Sequence, residues 1–238
     1  MTAVASSGSR GGAGDWLADV PPAAAADPRP FVTISRLAGA GGSAVADRLV
    51  RLLAHDRDVA GDRGWQVHDA DVCGDIAADP ALASRLEDLV REVYRPGLED
   101  HLDRTPRPEG AQPIPVYRVF RTVRRLAQLG RGVIVGRAGV MLTRDLPLGV
   151  HLRLIAPREM RLQTLCDRYR LSRADGLAAL TEQDSSRARL FLEYFQREID
   201  DPMLYDAVFN TARVDLGTIA ASIAQIVRDR LTESRVRP

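Results

Sequence analysis

The segment from residue 31 to residue 53 constrains this chain more than any other. It opens with Phe31-Val32-Thr33-Ile34, a short run of aromatic and β-branched residues that reads as a strand. A glycine cluster follows, Gly39-Ala40-Gly41-Gly42-Ser43. From Ala44 to Leu53 the apolar residues return at helical spacing. A strand that turns through glycines into a helix brings backbone N–H groups close to whatever sits in the turn, and the helix N-terminus adds partial positive charge. The segment is therefore an anion site in an α/β protein before any relative is considered.

The rest of the chain repeats the alternation. A second strand is expected at residues 65–68, ending at Asp69-Ala70-Asp71. Residues 80–102 read as a helix carrying Leu82, Leu86, Leu89, Val90 and Val93 on one face. After a Pro-rich break (TPRPEGAQPIP), a helix at residues 116–129 ends at Gly130 in the manner of a C-cap. The third strand, Gly132-Val133-Ile134-Val135, is continuously apolar, as a buried parallel strand should be, and runs into Gly136-Arg137. A fourth strand at 150–155 leads through Pro157 and Glu159 into a helix at 157–169. A helix at 177–198, a last strand at 207–210 and a last helix at 216–231 complete the series. The fold class is α/β, a three-layer sandwich with a mostly parallel five-stranded sheet and helices on both faces. Ligands of such sheets lie at the carboxyl ends of the strands, where the glycine cluster, Asp69, Asp71, Gly136 and Arg137 fall. The expected division is a disordered Ala/Gly/Ser/Pro-rich tail over 1–29, a folded domain over 30–232 and a C-terminal tail over 233–238.

Charge and cysteine content narrow the function. The formal net charge of +1 leaves no global basic field for nucleic acid. The 33 cationic side chains are all arginine, so any side-chain cation used on a phosphate must be arginine. Cys73 and Cys166 lack CxxC spacing, and His55, His68, His101 and His151 lack metal-ligand spacing. The expectation is a protein of a reducing cytoplasm, with no disulfide framework or zinc site. No apolar h-region follows the start and no stretch is long enough to span a membrane, so neither secretion nor a membrane is expected.

The glycine loop fits two chemistries. Gly39-x-Gly41-x-x-Ala44 matches the dinucleotide fingerprint GxGxxG/A. The phosphate-loop pattern GxxxxGK[ST], placed with Gly41 as its second glycine, puts Arg36 at the first glycine, Gly42 at the lysine and Ser43 at the Mg²⁺-holding hydroxyl. The loop alone favours neither. The arginine-dense helices late in the chain favour phosphoryl transfer, which needs a lid that neutralises charge.

Several segments, in order, resemble the cytidylate kinase-like family of P-loop nucleoside monophosphate kinase-like proteins. They are Thr33-Ile34-Ser35-Arg36-Leu37-Ala38-Gly39-Ala40-Gly41-Gly42, His68-Asp69, Val133-Ile134-Val135-Gly136-Arg137, and Leu154-Ile155-Ala156-Pro157-Arg158-Glu159-Met160-Arg161. Asp184-Ser185-Ser186-Arg187 and Tyr205-Asp206-Ala207-Val208-Phe209-Asn210-Thr211 complete the set. The resemblance implies a P-loop NTPase fold with a helical monophosphate-binding arm between residues 80 and 129 and a lid. It implies that Ser35, Arg36, Gly39, Ala40, Gly41, Gly42 and Ser43 bind the phosphates of ATP, with Ser43 helping to hold Mg²⁺. Arg137 would touch the acceptor's phosphate. Arg158 and Arg161 would act from the lid, and Asp184 and Arg187 would match a D-x-x-R stretch with Arg187 on the phosphates. Well-characterised cytidylate kinases carry lysine where this chain has Gly42 and an acid where it has Ala138. A divergent branch has a Ser-Arg…Gly-x-Gly-Gly loop without lysine, and this chain resembles that branch.

Each residue also has an alternative reading. Arg36 lies beside the loop and is a candidate for the missing positive charge. Asp69 either orients the acceptor sugar or a metal-bound water, or caps the helix that follows. Arg158 and Arg161 stand one helical turn apart and act either jointly on phosphate or in pairing with carboxylates. The expected activity is transfer of the γ-phosphoryl group of ATP to a nucleoside monophosphate. The rivals are a nucleotide sensor of the same fold without turnover, and a dinucleotide-dependent oxidoreductase.

Overall fold

The computed structural model describes residues 29–56, 59, 64–69, 80–81 and 115–236. Five strands are present: β1 (Phe31–Arg36), β2 (Gln66–His68), β3 (Gly132–Val135), β4 (Gly149–Ile155) and β5 (Ala207–Asn210). They form one sheet in the order β2-β3-β1-β4-β5, and every neighbouring pair is parallel. The expectation of a mostly parallel sheet thus becomes an all-parallel one. The helices are α1 (Gly42–Ala54), α2 (Pro115–Leu129), α3 (Gly139–Thr143), α4 (Arg158–Tyr169), α5 (Arg173–Phe195) and α6 (Leu216–Val236). Among the described residues no helix is long and apolar enough to cross a membrane.

Strand alternation assigns the two faces of the sheet. Val32 and Ile34 of β1, Val133 and Val135 of β3, and Val150, Leu152 and Leu154 of β4 share one core with Val45, Leu49 and Leu53 of α1 and Ile219, Ile223 and Val227 of α6. The intervening residues face the other side, where the β1–β4 register sets Thr33 beside His151 and Ser35 beside Arg153. That second face is partly polar and each polar group is engaged. Thr33 Oγ1 lies 2.8 Å from His151 Nδ1, and Arg153 Nη1 donates to Ser35 Oγ at 2.9 Å. Buried polar groups on a sheet face persist only when paired in this way.

Several boundaries shift from the sequence reading. The first strand continues through Ser35 and Arg36, because parallel pairing with β4 extends to Arg36↔Leu154. The fifth helix begins at Arg173 instead of 177, since Ser172 accepts a hydrogen bond from the Asp175 N–H at 3.2 Å and caps it a turn earlier. The last helix reaches Val236, beyond the expected boundary at 232. The short α3 was not expected; it follows a turn in which Gly136, Arg137 and Ala138 all have positive φ (83°, 55° and 53°). Gly130, at φ 72°, donates to the carbonyls of Leu126 and Ala127 as a C-cap does. The expected helix at 80–102, apart from its first two residues, lies outside the described residues. So do the Pro-rich break up to residue 114, the N-terminal segment up to residue 28, and Asp71.

Candidate functional site

The carboxyl ends of β1 and β3 open under helix α5 onto a cavity of about 330 Å³. Its walls carry two chemistries. Arg36, Arg137 and Arg187 supply charge, while Val140, Leu190, Phe191 and Ile199 supply apolar surface. Of the residues singled out from sequence, Ser35, Arg36, Arg137 and Arg187 line this space. Glu182, Gln183 and Ser186 join them from α5 without having been singled out. Their signal was available, since all lie within one helical turn of the D-x-x-R stretch.

Arg36 is the last residue of β1, and its side chain crosses from the start of α1 to the end of β3. Burial pushes its guanidinium down to about 10, and the positive charges of Arg187 and Arg137 push in the same direction against the opposing pull of Asp69 and Tyr169. Burial is also the main cause that lowers Arg187, partly offset by Asp184. Arg36 is thus held beside two like charges, Arg187 and Arg137, in a partly dehydrated cavity. A polyanion would relieve that repulsion and exploit arginine's planar fork of donors. Arg137 is exposed and follows Gly136 in the left-handed turn. Non-glycine residues adopt that conformation at a cost, and such strain concentrates at ligand sites.

Ser35 is held on the far side. It accepts from Arg153, and Tyr205 Oη lies 3.2 Å from its hydroxyl while also donating to the Ile199 carbonyl at 2.8 Å. Arg153 is only 2% exposed and is committed to Asp200. It braces the site from below and does not face the cavity. Asp206 accepts from the His151 N–H at 2.7 Å while pairing with Arg230.

The glycine loop lies beside the cavity and does not line it. Gly41 (φ 85°) is the N-cap of α1, Gly42 and Ser43 are its first two residues, and Ala40 is buried with its N–H on the Leu37 carbonyl at 3.2 Å. Gly39 has φ 74°, and a Cβ there would collide with the backbone carbonyl oxygen of Arg161 on α4. The loop is therefore packed directly on α4, and only glycine allows that approach.

Ala38 is held at both ends of its peptide. Its N–H donates to Asp184 Oδ1 at 2.7 Å, and its carbonyl accepts from Arg161 Nη1 at 3.1 Å. The same Arg161 Nη1 bonds Asp184 Oδ2 at 2.7 Å, and Arg161 Nε donates to the Ala156 carbonyl at 2.9 Å. Arg161 and Asp184 thus clamp the loop to α4 and α5. Of the two readings given to Arg158 and Arg161, Arg161 shows pairing with a carboxylate, Asp184. Arg158 is exposed, whereas Arg161 is 7% exposed and turned inward with Leu162 and Leu165. Successive helical residues step by about 100°, so two positions three apart straddle the edge between the core and solvent faces. Arg187 joins the clamp to the cavity: it stands 3.6 Å from Asp184 and donates to the Arg36 carbonyl at 3.4 Å. Asp69 directly follows β2, half-buried, near enough to Arg36 to raise its basicity. The helix it was expected to cap lies outside the described residues.

A metal ion finds no ready-made protein cage here: among the described residues no group of three His, Cys, Asp or Glu stands together. Mg²⁺ that travels with a nucleotide needs few protein ligands, because phosphate oxygens and water fill most of its octahedron. The half-buried hydroxyl of Ser43 at the start of α1 is compatible with that mode.

The chain is similar to several known proteins. A cytidylate kinase from Methanothrix thermoacetophila is 30% identical over 112 residues, which cover 46% of this chain and 63% of that enzyme. The crystal structure of an uncharacterized protein from Eubacterium ventriosum superposes with a TM-score of 0.56 at 17% identity, covering 85% of this chain and all of that one. The crystal structure of TT1252 from Thermus thermophilus is 20% identical with a TM-score of 0.40, over 84% of this chain and 98% of that one. Residues 31–213, from the first strand through the turn after the last, match the cytidylate kinase-like family, and the chain belongs to it.

Proposed function

We propose that this protein is a nucleoside monophosphate kinase that transfers the γ-phosphoryl group of ATP to a nucleoside monophosphate in the cytoplasm. The observation that carries the proposal is the convergence of Arg36, Arg137 and Arg187 on one cavity beside the glycine loop. Phosphoryl transfer asks the protein mainly to position two anions and to neutralise the charge that develops between them. An all-arginine chain can do this, because each guanidinium offers paired N–H donors to phosphate oxygens. The N-terminus of α1 and the loop N–H groups would take the phosphates of ATP. Mg²⁺ bound between the phosphates would supply further charge neutralisation, with Ser43 as its protein ligand. Arg137 and Arg187 would hold the acceptor's phosphate and the transferred group from the two sides of the cavity. Val140, Leu190 and Phe191 would exclude water around them. Membership of the family and the partial match to a cytidylate kinase support this reading.

The test is coupled ADP release with Mg-ATP against a panel of ribo- and deoxyribonucleoside monophosphates. One acceptor should stimulate release, and Arg137→Ala should lower kcat/KM for that acceptor at least tenfold. ATP binding without any acceptor-dependent release would instead make the protein a nucleotide sensor, the reading favoured by Gly42 and Ala138 where well-characterised cytidylate kinases carry lysine and an acid.

A further inference from the structure

Two glycines flank the side chain of Arg36. At Gly42, the first residue of α1, an added Cβ would lie 3.1 Å from Arg36 Cγ and 3.3 Å from Cδ. At Gly136, which follows β3 with φ 83°, it would collide with Arg36 Nη1 and lie 3.0 Å from Cζ. The arginine stem therefore runs across the face of position 42, and the guanidinium rests on the bare backbone of position 136. In the phosphate-loop pattern the cation is a lysine at the position of Gly42. In this chain that position is occupied from the side by an arginine rooted in the strand.

We propose that Arg36 is the loop cation of this protein, reaching the β- and γ-phosphates of bound ATP from the end of β1 in place of a lysine at 42. The inference rests on the nucleotide reading above and assigns one residue within it. Gly42 is then glycine because the Arg36 stem fills the space its side chain would need, and Gly136 is glycine because the guanidinium head does. The stem is fixed between strand, helix start and turn, so little rotamer freedom is lost when the head meets an anion. Its nearest charged neighbours include Arg137 and Arg187, whose repulsion a phosphate would offset. Arginine at this point also satisfies a requirement of the composition, because the chain contains no lysine.

Calorimetric titration of the full chain with Mg-ATP tests this, with thermal unfolding to confirm that each variant is folded. Arg36→Met keeps the stem and removes the charge. It should weaken Mg-ATP binding roughly 10- to 100-fold, the range expected for lost charge-assisted hydrogen bonds. Gly136→Ala leaves Arg36 in the sequence but displaces its head, and should weaken binding in the same direction. In Arg36→Ala combined with Gly42→Lys, removal of the stem frees the space for lysine, and at least half of the logarithmic loss should return. A folded Arg36→Met with wild-type affinity overturns the assignment, as does a double variant no tighter than Arg36→Ala alone. A wild-type protein that binds no Mg-ATP removes the nucleotide reading itself, and the assignment with it.

Discussion

Asp184→Ala should destabilise the protein strongly, although Asp184 is a charged side chain only partly buried on α5. Its two carboxylate oxygens have separate partners, the Ala38 N–H and Arg161, both at 2.7 Å. Truncation leaves the amide of Ala38 without its acceptor and leaves a guanidinium that is 9% exposed without its counter-charge. Removing one partner of a buried ion pair costs about 3–5 kcal/mol, much of it from the stranded charge. Arg161 keeps the carbonyls of Ala156 and Ala38, and Asp184 is itself 20% exposed, so the low end, about 3 kcal/mol, applies here. That is a large part of the roughly 5–15 kcal/mol that holds most domains folded. Arg161→Met should cost less, about 2 kcal/mol, because Asp184 retains Arg187 at 3.6 Å and the Ala38 amide. The double variant should fall short of the sum by at least about 1 kcal/mol, since both changes dismantle one network. Urea unfolding at neutral pH measures all three. An Asp184→Ala variant within about 0.5 kcal/mol of wild type, with an unchanged m-value, would show that the clamp is not energetically coupled to folding.

Two further outcomes follow from the same geometry. Gly39→Ala combines a left-handed backbone with a collision against the Arg161 carbonyl, which is backbone and cannot rotate away. It should cost at least about 2 kcal/mol and lower the melting temperature by roughly 4–8 °C in thermal unfolding. The pH dependence of stability should carry the mark of His68 and His151, both pushed down to about 4, chiefly by burial. For His151, Asp206 opposes the shift and Arg230 adds to it. Between pH 6.5 and 4 both rings stay neutral in the folded protein while the unfolded chain takes up protons. Stability therefore falls as the pH is lowered through that window, by up to about 1.4 kcal/mol per pH unit for each histidine. Urea midpoints between pH 7 and pH 5 measure the slope, and His151→Gln should flatten it.

The fold was legible in the sequence because its signals are local. A four-residue apolar run such as Gly132–Val135 is what a parallel strand covered on both faces requires, and it is fully buried. Leu49 and Leu53 predict which face of α1 enters the core from their spacing alone, and both are completely buried. Gly130 announced the end of α2 because a left-handed C-cap is cheap only for glycine. The missed start of α5 was also local: Ser172 and Asp175 form a recognisable cap that the apolar spacing further along the helix obscured.

The division of labour among the arginines was not legible. Arg36, Arg153, Arg161 and Arg187 look alike in a sequence, and local spacing gives none of them a direction. In the structure, strand register turns Arg153 to the polar face of the sheet and Asp200, and helix rotation turns Arg161 into a clamp on Ala38. Among the described residues, Arg36 and Arg187, with Arg137, are the arginines left at the cavity. Those choices depend on partners 47 to 151 positions away in the chain. The amino-acid sequence by itself determined that a parallel α/β sheet would carry a glycine turn, and with it a candidate anion site, because strand burial, helical period and glycine freedom act over a few residues. Only the tertiary structure decided which cations face that site, because whether a long polar side chain braces the scaffold or meets a ligand depends on what the fold brings against it.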